Sequence, residues 1–162
     1  MKIKIIALGK IKEKFLQSGI EKFLKRLTPY AQVCVVEVPP LEIKDENLTD
    51  KILNQEGEKI LSYIKPSDFV ITMEILRHKH IKNKSYGSEE FVKKIEVLIN
   101  SGTAEIVFVI GSSCGIGRNV SDRANLKMSM SRMTFLHEFA RLILIEQIYR
   151  AFKIIKGETY HK

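Results

Sequence analysis

The stretch whose reading decides the fold lies in the last third of the chain: FVIGSSCGIGRNV over 108–120 and LKMSMSRMTFLHEFARLILIEQIYRAFKIIKGETYHK over 126–162. The apolar run Ile106 to Ile110 predicts a buried strand, and Gly111 breaks it into a glycine loop. A short helix is predicted from Asn119 to Asn125. Leu126, Met128 and Met130 then alternate with Lys127, Ser129 and Ser131, the period of a strand. A small-polar loop follows, and a helix from His137 to Lys156 places Leu142, Ile145, Tyr149 and Phe152 along one face. Two strand–loop units so close together predict two loops converging on one ligand, beyond the carboxyl ends of parallel strands.

Upstream, the same alternation of strand and helix holds. Lys2 to Leu8 reads as a strand entering a core, and Gly9 ends it. Glu13 to Leu27 carries Leu16, Ile20, Phe23, Leu24 and Leu27 at helical spacing, with Pro29 as the stop. Val33 to Val38 is β-branched and closed by Pro39-Pro40. Thr49 is the expected N-cap of a helix with Leu53, Gly57, Ile60, Leu61 and Ile64 on one face. Asp68 to Met73 is the third strand. His78 to Gly87 reads as a polar loop. Ser88 is the expected cap of a helix with Phe91, Val92, Ile95, Leu98 and Ile99 inward, ended by Gly102. The fold class is therefore α/β, with a mostly parallel sheet flanked by helices in one domain spanning 1–162.

With 162 residues and 44% hydrophobic composition, the chain suffices for one domain with a real core. Its net charge of +8 suits a polyanionic partner, of which nucleic acid is the commonest. The two cysteines, Cys34 and Cys114, form no CxxC, so zinc ribbons and redox pairs are not expected. They read as free thiols of a reducing cytoplasm. The N-terminus does not resemble a signal peptide, and no apolar run approaches about 18 residues, so no membrane span is expected.

Gly111-x-x-x-Gly115-x-Gly117 looks like the loop of a short-chain dehydrogenase, and Tyr149-x-x-x-Lys153 has the spacing of its catalytic pair. Position argues against a nicotinamide-dependent oxidoreductase. That loop follows the first strand of its fold, whereas only 45 residues remain here after Gly117. No Gly-Lys-Ser/Thr follows, so a P-loop is excluded. His78-x-His80 lacks an evident third ligand, and no metal is expected. His137, at the junction of a small-polar loop and a helix, reads equally as a packing residue and as a catalytic one. Arg132, Arg141, Arg150, Lys153, Lys156 and Lys162 are basic. Tyr160 and His161 add rings that could stack on a base beside those charges.

Taken together, these segments resemble the ribosomal large-subunit methyltransferase H family of the SPOUT class. The resemblance runs through 2–10, 56–61 and 107–111, and is strongest in Ser131 to His137 and Glu146 to Ile154, with the ending Tyr160-His161-Lys162. It implies a C-terminal trefoil knot, S-adenosylmethionine as cofactor and a homodimer. It implies methylation of N3 of a pseudouridine in the helix 69 hairpin of 23S rRNA within the assembled ribosome, in the cytoplasm. By position, Met73, Gly111 and Ser131, Arg132, Met133, Thr134, Phe135 and Leu136 would contact the cofactor. Arg150, Tyr160 and Lys162 would contact RNA. His137 or His161 would relay the proton, and Arg141 or Arg150 would steady the anion or a phosphate. The family usually has a second glycine where this chain has Ser112, and a proline at Leu136. A non-catalytic ribosome-binding protein with the same knot is the alternative reading.

Overall fold

The computed structural model describes residues 1–42, 45–74, 84–131 and 133–160. Strand β1 (Lys2–Leu8) leads into helix α1 (Lys14–Leu27), β2 (Gln32–Val38), a 3-10 turn (Glu46–Leu48) and α2 (Thr49–Leu61). Then come β3 (Phe69–Met73), β4 (Lys84–Ser85), α3 (Ser88–Asn100) and β5 (Glu105–Ile110). Helix α4 (Arg118–Arg123), β6 (Leu126–Ser129) and α5 (His137–Ile155) complete the order.

The six strands form one sheet in the order β2-β1-β5-β3-β6-β4, and every neighbouring pair is parallel. Helices cover both faces, which is why the central strands read as almost continuous apolar runs. Alternation decides which side chain goes to which layer. Ile3, Ile5 and Ala7, with Ile106, Phe108 and Ile110, face α1, α3 and α5. Ile6 and Leu8, with Val107 and Val109, face α2 and α4. Phe108 is fully buried, and removing such a ring from water is worth about 1.5–3 kcal/mol.

The helix ends depart from the sequence reading by one to three residues, α4 for instance running Arg118–Arg123 where Asn119 to Asn125 was expected. Leu48, not Thr49, holds the N-cap of α2, and Ile64 lies beyond that helix while still packing on the core. Gly87, not Ser88, holds the N-cap of α3. Its N–H donates to the Glu90 carboxylate at 3.1 Å, so an acid three residues into the helix satisfies the end in place of a hydroxyl. Part of the polar stretch expected as a loop is strand, because Lys84 and Ser85 pair with Met128 and Ser129. Residues 78–83 of that stretch lie outside the described residues. Strand β6 closes at Ser129, before Met130.

Candidate cofactor site at the carboxyl ends of β5, β3 and β6

Strand β3 lies between β5 and β6, and the register sets Ile110, Met73 and Met128 at one level across the three. Each then ends. The loop opened by Gly111 and the loop through Ser131 therefore emerge on either side of Met73. The two loops leave the same end of the sheet because it inserts β3 between two strands that are consecutive apart from a short helix.

Each loop is braced locally. In the first, Ser112 N–H donates to Gly115 O at 3.1 Å and Gly115 N–H to Ser112 O at 3.0 Å, closing a tight turn. Gly111 is needed there, since a Cβ would lie 2.2 Å from Gly115 O. In the second, Ser129 Oγ donates to Ser131 O at 2.8 Å, and Met133 N–H donates to Ser131 Oγ at 2.9 Å. Such serine-to-backbone bonds hold an irregular segment without a ladder.

Between the second loop and helices α3 and α5 is a cavity of about 160 Å³. Met73, Met128, Met130 and Phe135 line it from the strand ends and the loop. Tyr86, Gly87, Ser88 and Phe91 line it from the start of α3, and Ile143, Leu144 and Gln147 from α5. The wall is apolar, sulfur-rich and aromatic, with the Gln147 amide as a polar group. Of the residues expected at the cofactor, Met73 and Phe135 reach this cavity. Gly111 does not line it. Met133 and Leu136 are 74% and 70% exposed, and Thr134 is also exposed. Arg132 lies outside the described residues.

His137 and Arg141 lie elsewhere, at the carboxyl ends of β1 and β2. A Cβ placed on Gly9 would be 3.4 Å from His137 Nε2, so the imidazole rests against the end of β1. One helical turn later, Arg141 is buried to 1% exposure. Its Nη1 donates to Glu37 Oε1 at 2.6 Å and its Nη2 to Gly9 O at 2.8 Å. The guanidinium thus pins α5 to two strand ends and spends its charge on Glu37 in doing so. His161 lies outside the described residues.

Arg150 and Tyr160 come together on α5. Glu146 Oε1 accepts from Arg150 Nη2 at 2.6 Å and from the Tyr160 hydroxyl at 2.9 Å. The Arg150 guanidinium sits 4.6 Å from the Tyr160 ring centroid. Burial, then the bond to Glu146, raises the Tyr160 phenol above its ordinary range. Gly157, at φ +70°, turns the chain back: its N–H reaches Ile154 O and that of Glu158 reaches Lys153 O, a Schellman end to α5. Lys153 and Tyr30 both donate to Glu158. Those hydrogen bonds lower the Glu158 carboxyl, with Lys153 the larger cause. Lys153 is therefore engaged by Glu158, and Tyr149 meets Tyr160 edge-on at 5.3 Å, so the two do not form a dehydrogenase pair. Lys162 lies outside the described residues.

Among the described residues no group of three His, Cys, Asp or Glu could hold a metal, and no helix is long and apolar enough to cross a membrane.

Comparison with known proteins supplies what geometry alone does not. A family model described as "Predicted SPOUT methyltransferase" matches residues 1–161. The chain is 48% identical to a protein of Carboxydothermus hydrogenoformans named Ribosomal RNA large subunit methyltransferase H, over the whole of both chains. The chain belongs to the SPOUT methyltransferase family. Among solved structures, it resembles a "probable methylase family protein" from Haemophilus influenzae Rd KW20, with a TM-score of 0.60 and 13% identity over 99% of this chain and 70% of that one. It also resembles Legionella pneumophila Lpg2936, described as a methyltransferase and solved with the bound cofactor SAM, with a TM-score of 0.50 and 14% identity over 93% of this chain and 66% of that one. These two likenesses concern the fold.

Sequence reasoning missed the α3 and α5 walls of the cavity, Tyr86, Phe91 and Gln147 among them. Gln147 stood inside the Glu146–Ile154 segment that carried the resemblance. Its adjacency to Met73 is a tertiary fact with no local signal.

Proposed function

We propose that this SPOUT family member transfers a methyl group from S-adenosylmethionine to 23S rRNA of the large ribosomal subunit, at N3 of a pseudouridine in the helix 69 hairpin. The observation that carries this reading is the end-to-end 48% identity with a relative of that enzymatic name. The cavity chemistry supports it. Methionine and aromatic walls suit a thioether and a flat ring, and main-chain groups of 131–136 suit the edges of an adenine. At about 160 Å³ the cavity holds part of such a cofactor, and the rest would lie across the two loops.

When bound, S-adenosylmethionine supplies a methyl group on a positively charged sulfur. Met73, Phe135 and the backbone from Ser131 to Leu136, Arg132 included, would hold it, with Gly111 keeping the neighbouring loop tight. The neutral imide N3 is a poor nucleophile, so its proton must leave. The chain can take that proton with His137 or His161, or can stabilise the anion with positive charge near the adjacent carbonyl oxygens. Arg141, committed to Glu37, acts by fixing the His137 end of α5. Arg150, Tyr160 and Lys162 would receive the RNA backbone and base.

The active form in this reading is a homodimer. Met133, Leu136, Phe139 and Phe15 are exposed around the head of α5, with the Phe15 and Phe139 rings 6.0 Å apart, and contiguous exposed apolar surface marks an interface. The C-terminal trefoil knot and the cytoplasmic, ribosome-bound setting belong to the same proposal.

Calorimetry and thermal melting with S-adenosylmethionine test it. A ligand that binds the native state at 100 times its Kd stabilises by about 2.7 kcal/mol. No heat and no shift at millimolar cofactor would sink the enzyme reading and leave the non-catalytic one.

A further inference from the structure

Glu146 carries more hydrogen bonds than a surface helix carboxylate usually does. Its Oε1 accepts from Arg150 Nε at 3.1 Å, Arg150 Nη2 at 2.6 Å and the Tyr160 hydroxyl at 2.9 Å. Its Oε2 accepts from Gln147 Nε2 at 2.6 Å. The side chain is only 20% exposed, so protein donors rather than water satisfy it. A carboxylate offers about four acceptor directions, and here the donors of three residues share them. Gln147 also lines the cavity beside Met73, and Tyr160 is the ring that the turn at Gly157 folds back onto α5.

We propose that Glu146 is a positioning residue for methyl transfer, one carboxylate that ties the seat of the C-terminal tail to the wall of the cofactor cavity. With Oε2 holding the Gln147 amide and Oε1 holding Tyr160, neither partner can move without changing the acceptor geometry of the other. Such a tie is reciprocal: what shifts Gln147 shifts the seating of Tyr160, and by the same factor. The ordinary reading of an i,i+4 Glu–Arg pair is a small gain in helix stability. That reading accounts for neither the Tyr160 hydroxyl nor the Gln147 amide on the same group. The proposal rests on the methyltransferase reading for its catalytic consequence, but not for the tie itself.

The test uses the full chain in four forms besides wild type: Glu146→Gln, Tyr160→Phe, the double variant, and Gln147→Ala. Hydrogen exchange of the amides of 157–160 is measured without cofactor. Then kcat and the KM for S-adenosylmethionine are measured with ribosomes as substrate. Gln147→Ala does not touch the tail, yet it should change tail exchange about threefold or more, a modest coupling between adjacent groups. Glu146→Gln should speed tail exchange, lower kcat about tenfold and raise the cofactor KM, since charged acceptors make the stronger hydrogen bonds. Tyr160→Phe removes only a hydroxyl and should lower kcat. The double variant should be little worse than Glu146→Gln, because both break one link. Unchanged tail exchange in Gln147→Ala overturns the tie. A double variant whose defects simply add also overturns the tie, and a Glu146→Gln protein that loosens the tail at unchanged kcat and KM overturns the positioning role. If wild type methylates no ribosomes, the proposed function fails while the exchange comparison still decides the tie.

Discussion

Replacing Gly111 by alanine should damage the cofactor loops by an amount that can be worked from contacts. The new Cβ would stand 2.2 Å from Gly115 O and 2.6 Å from Ile116 Cγ1. Ordinary C···O contacts are about 3.3 Å or longer, so the Gly115 carbonyl must retreat by roughly 1 Å. The isoleucine tip can swing aside, but the carbonyl is fixed by the turn. Both hydrogen bonds between Ser112 and Gly115 are lost in that retreat. At about 0.5–1.5 kcal/mol each, the loss is roughly 1–3 kcal/mol. For a chain of this size that lowers Tm by roughly 2–12 °C. A loop displaced by about 1 Å beside a binding site commonly costs 10- to 100-fold, so cofactor affinity should fall by about that factor. Melting by circular dichroism and titration calorimetry with S-adenosylmethionine read the two effects. Gly102→Ala, at the far end of α3, is the control. It forces a side chain into a φ of +74° with no atom within 4 Å, and should lower Tm without touching cofactor affinity. A Gly111→Ala protein with wild-type Tm and wild-type affinity would refute the close-approach argument.

Three other substitutions have definite expected outcomes. Burial raises the Glu56 carboxyl above its ordinary value, while Leu41 N–H donates to its Oε1 at 2.8 Å and its Oε2 is buried without a partner among the described residues. The folded chain thus prefers the protonated acid. Its contribution is complete below the unfolded carboxyl pKa and is lost as pH rises through the raised folded one. Glu56→Gln, which keeps an acceptor for Leu41, should therefore gain stability over wild type at neutral pH and lose that gain near pH 4, as read by urea unfolding. An equal difference at both would contradict the assignment. Arg141→Met strands the Gly9 carbonyl and half-exposed Glu37 and should cost roughly 1–3 kcal/mol, with Tm as the readout; unchanged Tm would mean the brace is idle. Leu136→Glu places a charge in the exposed apolar patch and should shift sedimentation at micromolar concentration toward monomer, whereas an unchanged dimer would put the interface elsewhere.

Much of the fold was legible because the helices and long strands carry their own period. Strand β5 shows as the apolar run Ile106–Ile110, since burial on both faces demands apolar residues on both, and β1 as a run that alternates and then turns apolar. Strand β4 did not show, because Lys84 and Ser85 are two polar residues whose pairing with β6 is decided by distant chain. Strand order has no local signal either: nothing in 69–73 says that it lies between 105–110 and 126–129. Arg141 illustrates the limit at the site. Its sequence setting suggested charge aimed at a substrate, yet its partner, Glu37, lies on another strand, and only packing shows that the guanidinium is consumed there. Gly111 was named through the resemblance, as a close approach to the cofactor, whereas the close approach in the structure is to the Gly115 carbonyl within its own turn. Gln147 was not, because a cavity wall built from α5 and α3 exists only after the helices pack on the sheet.

The central claim is best tested on its product. Ribosomes that carry the pseudouridine but lack the methyl group are incubated with the protein and S-adenosylmethionine, and the helix 69 fragment of 23S rRNA is analysed by mass spectrometry. The account predicts one added methyl group on that fragment, located on the pseudouridine base, dependent on cofactor and reduced about 10- to 100-fold in rate with the Gly111→Ala protein at limiting S-adenosylmethionine. Methylation at another rRNA position would correct the substrate site. An unmodified ribosome in the presence of bound cofactor would contradict the account.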